Sequence, residues 1–167
     1  EHLPEQAKLG RQYQRLGDHW AEEKYDYEMG RYYQLIYGID VAVGMILEEL
    51  EKQGIADNTI IIYTTDNGYS TGAHGFGGKV LPYEEAAKGP LIIYAPGSKS
   101  ENKGWRNHAI TGNIDMAPTI LEYAGLPIPK NMDGESLVPL LNKKNAKVKD
   151  SQAIVQAWGE SPTHSLS

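Results

Sequence analysis

Apolar residues recur along the chain with two different periods, and each period predicts a different element. From Met29 onward Ile36, Ile39, Val43, Ile46 and Leu50 return at alternating steps of three and four, with Tyr32 one turn earlier. That spacing makes one face of a long amphipathic helix, with Glu48, Glu49 and Lys52 elsewhere on its surface. Gly54 is the natural residue to end it, because the position past the last turn favours a left-handed backbone. After the Asp57-Asn58 turn the pattern changes. The run Thr59-Ile60-Ile61-Ile62-Tyr63-Thr64-Thr65 is β-branched and barely alternates, which predicts a strand buried on both faces. A second such run, Leu91-Ile92-Ile93-Tyr94, lies between Pro90 and Pro96-Gly97. A helix is predicted from Asn113–Asp115, with Pro118 in its first turn and its end at Gly125. Ser136–Leu141 reads as a short helical turn and Ala153–Trp158 as a third strand. Residues 1–29 are polar and aromatic without a clear period, and are read as an irregular opening segment holding at most one short helix.

Helix, strand, loop, strand, helix and strand in this order predict an α/β fold, a layered and mainly parallel sheet flanked by helices. Residues 1–167 are read as one domain, with residues 142–151 a mobile basic connection containing Lys143, Lys144, Lys147 and Lys149. Ligands of such sheets sit beyond the carboxyl ends of the strands. Asp66 stands just past such an end, so the loop that follows it is where a site is expected.

Composition narrows the chemistry. The chain has 167 residues and a net charge of −6, which argues against a nucleic-acid partner, since phosphate binding needs clustered Lys and Arg. With no cysteine there are no disulfides, thiolate metal ligands or thiol nucleophiles. No apolar run approaches the length of a membrane span. The opening Glu1-His2-Leu3-Pro4-Glu5 lacks the basic start and apolar stretch of a signal peptide, and the missing initial Met suggests a mature or excised piece.

The expected site loop runs from Thr64 to Lys79 and contains five glycines. Asp66 and Asn67 are adjacent oxygen donors that suit a hard cation such as Ca²⁺ or Mg²⁺ rather than zinc, though Asp-Asn-Gly is also a common turn. Lys79, after Gly77-Gly78, is a compact charge suited to a tetrahedral anion, or an ordinary surface lysine. His74 reads as a ligand, a proton donor or a loop residue.

The ordered motifs together resemble the type I sulfatases of the alkaline phosphatase superfamily. They are Tyr37-Gly-Ile-Asp40-Val-Ala-Val-Gly44, Gly54-Ile-Ala-Asp57-Asn58-Thr59 with Thr65-Asp66-Asn67-Gly68, and Gly72-Ala-His74-Gly75. Lys79-Val-Leu-Pro-Tyr83-Glu84-Glu85, Gly89-Pro90, Asn113-Ile-Asp115-Met-Ala-Pro118-Thr119 and Asp133-Gly134-Glu-Ser136-Leu137 continue the series. The resemblance covers about residues 30–141. It implies a hydrolase of sulfate esters or sulfamates, extracytoplasmic (periplasmic, secreted or lysosomal), using Ca²⁺ in preference to Mg²⁺ and a formylglycine made from Cys or Ser. It further implies that Asp66 and Asn67 are calcium ligands, that Lys79 contacts the sulfate, and that His74 lines the pocket as a second catalytic candidate. Asp40 and Asp115 are expected to be structural, as caps or packing residues. The implied partner is a sulfated small molecule or sulfated glycan.

The departures are as informative. The family nucleophile motif, Cys/Ser-x-Pro-x-Arg, is missing, as are the paired aspartates that complete the calcium shell. The chain therefore reads as the middle-to-late part of a sulfatase catalytic domain, an incomplete version of that fold, with its formylglycine upstream and no turnover of its own. Two other readings stay open. One is another superfamily hydrolase, a phosphodiesterase or phosphonate hydrolase, although Asn67 suits zinc poorly. The other is a non-catalytic module that binds sulfated glycans. Trp105, Arg106, His108, Trp158 and His164 are candidate sugar contacts that packing explains equally well.

Overall fold

Helix α1 spans Glu22–Lys52 and so starts well before Met29. A computed structural model describes it together with residues 5, 9, 20–79, 81–99 and 104–148. The irregular segment expected over 1–29 is therefore helical from Glu22. Its first residues, Glu22-Glu23-Lys24, are good helix formers, and the two acids complement the positive end of the helix dipole. Arg31 adds an ion pair to Glu28 at 3.8 Å, one turn earlier on the helix. Periodicity could not signal these turns because Glu22–Glu28 carry no apolar stripe at helical spacing.

The helix ends as expected. Gly54 adopts φ +67°, its N–H bonds the Glu51 carbonyl at 3.0 Å, and the Ile55 N–H bonds the Leu50 carbonyl at 3.1 Å. This paired closure satisfies carbonyls that the last turn would leave open. None of the residues of α1 is buried. The apolar face that predicted the helix is itself open to solvent, with Ile36 45% and Ile46 57% exposed.

Strand β1 (Ile61–Thr64) pairs with β2 (Leu91–Tyr94) in a two-stranded sheet. The first expected strand is shorter at both ends, and the second has the expected bounds. Burial on both faces does not hold, since Ile92 is 62% exposed. Among the described residues this pair is the whole sheet, and the larger layered, mainly parallel sheet is not seen there. The expected strand Ala153–Trp158 lies outside the described residues.

The described residues fall into two compact units. One comprises the described residues within 1–49 and 64–91, the other residues 50–63 and the described residues within 92–148. In the first, a short helix, α2 (Glu84–Ala87), buries Ala86, and Phe76 and Ser70 are buried too. In the second, a 3-10 turn at Asn113–Asp115 leads into α3 (Met116–Tyr123), which packs on that turn and on α4 (Val138–Asn142). Asp115, Pro118, Thr119 and Leu137 form its innermost layer. The basic connection expected over 142–151 begins where α4 ends, and residues 149–151 lie outside the described residues.

Asp115 has a structural role. Its Oδ2 accepts the Gly112 N–H at 2.8 Å, reaching back over the turn as the acid of a capping box does. By contrast, Asp40 stands exposed in the middle of α1, where there is no helix end to cap.

Candidate active site

The loop after β1 returns on itself because its own backbone is bonded across it. The Ser70 N–H donates to the Gly78 carbonyl at 2.7 Å and the Gly72 N–H to the Phe76 carbonyl at 3.0 Å. These two rungs share one register, centred on His74, and that register brings Lys79 opposite Tyr69. The lysine therefore arrives beside residues twelve positions earlier in the chain. Its Nζ donates to Asn67 Oδ1 at 3.0 Å and lies 3.9 Å from Asp66 Oδ2.

The acid-amide pair is held from the other side by α2. The Gly68 N–H donates to the Ala86 carbonyl at 2.8 Å. A Cβ on Gly68 would stand 2.1 Å from the Glu85 carbonyl oxygen and 2.6 Å from that of Lys88, so the approach is open to glycine alone. Asn67 is oriented by its own amide, whose Nδ2 donates to the Gly68 carbonyl at 2.7 Å. Its Oδ1 is thereby left facing Lys79. The Thr65 hydroxyl donates to Asp66 Oδ1 at 3.3 Å, which leaves Oδ2 as the oxygen nearer Lys79.

One carboxylate oxygen and one amide oxygen thus face a single positive charge. Their chemistry fits a hard divalent cation, which takes oxygen ligands, and it fits as part of a shell of six to eight donors. Among the described residues there is no group of three or more His, Cys, Asp or Glu able to hold a metal ion. Both ends of the contact are open to water, with the Asp66 side chain 78% and the Lys79 side chain 52% exposed. At that exposure the ion pair adds at most about 1 kcal/mol to stability.

His74 is engaged elsewhere, at the tip of the loop. Its ring stacks on Tyr83 with centroids 4.3 Å apart, and its Nε2 lies 3.3 Å from Glu85 Oε2. Its backbone is left-handed, φ +57°, a conformation that costs a non-glycine residue about 1 kcal/mol. Tyr83 also stacks on the buried Phe76 at 5.8 Å. The structure therefore brings Asp66, Asn67 and Lys79 together, and gives His74 partners of its own. Sequence reasoning did not single out Glu85 as a partner of His74. The two meet only through the folding of the loop against α2, and no local spacing rule signals such a contact.

Comparison with known proteins follows the same residues. The sulfatase family profile matches residues 4–126. An N-acetylglucosamine-6-O-sulfatase of Bacteroides thetaiotaomicron is 41% identical over 121 residues, covering 72% of this chain and 21% of that protein. A solved structure of a protein in complex with its substrate D-glucosamine-2-N,6-O-disulfate matches with a TM-score of 0.62 and 36% identity, over 75% of this chain and 25% of that one. A phosphonate monoester hydrolase from Silicibacter pomeroyi matches with a TM-score of 0.58 and 39% identity, over 62% of this chain and 20% of that one. The chain thus spans about a fifth to a quarter of these proteins' length. The profile match spans most of the chain and includes the strand end, the bonded loop and the returning lysine: this chain belongs to the sulfatase family.

Proposed function

We propose that these residues form one wall of the active site of an enzyme that hydrolyses sulfate esters or sulfamates. The observation that carries the reading is the gathering of Asp66 Oδ2, Asn67 Oδ1 and Lys79 Nζ at the end of β1, inside the region matched by the family. In this reading Asp66 and Asn67 hold a divalent cation, calcium in preference to magnesium, with the remaining ligands outside the chain. Such a cation would polarise a sulfate oxygen as a Lewis acid. Lys79 donates to a non-bridging or leaving oxygen and offsets charge that grows in the transition state. His74, fixed by Tyr83 and Glu85, lines the pocket on the loop's other side. The nucleophile is a formylglycine contributed by polypeptide outside these 167 residues, so the isolated chain turns nothing over.

The names of the relatives support a sulfated amino sugar or glycan as the substrate class. We further propose an extracytoplasmic setting, as the likeness to the sulfatase family implies. No helix of the described residues is long and apolar enough to cross a membrane.

The test is kinetic. The longest natural polypeptide that carries these residues is assayed with 6-O-sulfated N-acetylglucosamine and an aryl sulfate, as wild type and as Lys79→Ala. The reading requires turnover that Lys79→Ala lowers about 10²- to 10³-fold in kcat. Turnover by the isolated 167 residues would contradict it, as would activity indifferent to Lys79. The likeness to a phosphonate monoester hydrolase supports a second reading, which requires a higher kcat/KM for a phosphonate monoester than for any sulfate ester. Binding of sulfated glycan without turnover of either class would point to a non-catalytic module.

A further inference from the structure

Two oxygens that the proposed function assigns to a cation already face a positive charge belonging to the chain. Lys79 Nζ is 3.0 Å from Asn67 Oδ1 and 3.9 Å from Asp66 Oδ2. The Asn67 Nδ2 is turned away to the Gly68 carbonyl, so the amide presents its oxygen to the lysine. We infer that Lys79 is a built-in surrogate for the cation: its ammonium and a divalent ion compete for the Asp66 and Asn67 oxygens, and loading the ion releases the lysine toward the anion. The inference rests on the proposed role of Asp66 and Asn67 as cation ligands.

The competition follows from charge and reach. An ammonium and a divalent cation on the same two oxygens would sit within a few ångströms of each other, where like charges repel strongly. The lysine is the partner free to leave. Its side chain is half exposed and carries its charge on a flexible four-carbon stem. With the ion absent, the ammonium partly neutralises Asp66 and keeps Asn67 in the ligand orientation. With the ion bound, the ammonium is displaced and becomes available to an anion. Linkage makes the coupling mutual: an anion that holds Lys79 away raises the affinity of the pair for the cation by the same factor. One side chain thereby couples the two binding events, each favouring the other.

The experiment is a calorimetric titration of calcium chloride into the longest natural polypeptide that carries these residues. Wild type is compared with Lys79→Met, Lys79→Gln, Lys88→Met and Asp66→Ala. Lys88 is the control for lost charge, since it is 75% exposed and bonded to Glu84 at 3.1 Å. Thermal melts in chelator establish that each variant is folded, and Lys79→Gln stands in if Lys79→Met is not. Removing Lys79 is expected to tighten calcium binding about fivefold, the factor that matches an exposed ion pair. Lys88→Met is expected to stay within about twofold of wild type, because its ammonium is exposed to solvent and turned to Glu84 rather than to the Asp66 and Asn67 oxygens. Asp66→Ala is expected to lose calcium. If the Lys79 variants bind no more tightly than Lys88→Met while Asp66→Ala still loses calcium, the competition is overturned and the cation reading stands. If Asp66→Ala binds calcium as wild type does, the cation reading falls and the inference with it.

Discussion

The Glu135 backbone N–H donates to Asp115 Oδ1 at 2.9 Å, joining two residues twenty positions apart in the chain. The same carboxylate takes the Gly112 N–H on its other oxygen, and Asp115 is wholly buried. A neighbouring pair repeats the arrangement, as the Thr119 hydroxyl donates to the Asp115 carbonyl at 2.6 Å and accepts the Leu137 N–H at 2.9 Å. A buried carboxylate is tolerated here because backbone donors replace its water. Asp115→Ala would leave two part-buried N–H groups without this partner, each costing about 1–3 kcal/mol. A loss of about 3 kcal/mol in urea denaturation is expected. Asp115→Asn should recover less than half of it, since one face of the amide presents a donor to a donor.

Gly68→Ala tests the close approach of the strand end to α2. The added methyl would overlap the Glu85 and Lys88 carbonyl oxygens, and neither is a flexible side-chain end. Overpacking against backbone costs about 1–3 kcal/mol or more. The expected outcome is a destabilised chain in which the Gly68–Ala86 bond is lost, seen as faster amide exchange at Gly68.

His74 offers a reversal of the usual ranking of glycine and alanine. Both His74→Ala and His74→Gly remove the stack on Tyr83 and the contact with Glu85. Only the glycine variant also relieves the left-handed backbone. His74→Gly should therefore be more stable than His74→Ala by about 1 kcal/mol, measured by denaturation of the pair under one condition.

Tyr123 should make the chain sensitive to alkali. Among the described residues its hydroxyl is buried without a hydrogen-bond partner, and its pKa is raised, first by burial and then by the charge of Glu122. Above pH 10.0, the ordinary value, the unfolded chain releases this proton more readily than the folded one. Stability contributed below that value is thus lost as pH rises through the folded pKa. Tyr123→Phe should abolish this part of the alkaline loss. It should also gain about 1 kcal/mol at neutral pH, because no unpaired hydroxyl is then desolvated.

Legibility in the sequence followed the physics of each signal. The end of α1 was readable because a left-handed closure after a helix calls for glycine, and Gly54 supplies it. Strand β2 was readable because Pro90 and Pro96 bracket it. The start of α1 was not, because Glu22–Glu28 form helix without an apolar stripe at helical spacing. Burial of the strands was overestimated for a related reason. An unalternating run such as Leu91–Tyr94 signals two covered faces, yet Ile92 is open in the described chain. At the candidate site, residue types and family motifs pointed to Asp66, Asn67 and Lys79. Their meeting depends on backbone rungs inside the loop, and the holding of His74 by Glu85 depends on where α2 falls. Neither has a local pattern to read.

The two backbone rungs of that loop also set which changes of length it can absorb. Residues added at the tip, between Gly72 and Phe76, would leave the Ser70–Gly78 rung in place and so keep Lys79 beside Asn67. A residue inserted between Gly78 and Lys79 would instead shift the lysine out of its register with Asn67. The loop can therefore change length at its crown only at the expense of the His74 contacts with Tyr83 and Glu85, and at its base only at the expense of the lysine's place.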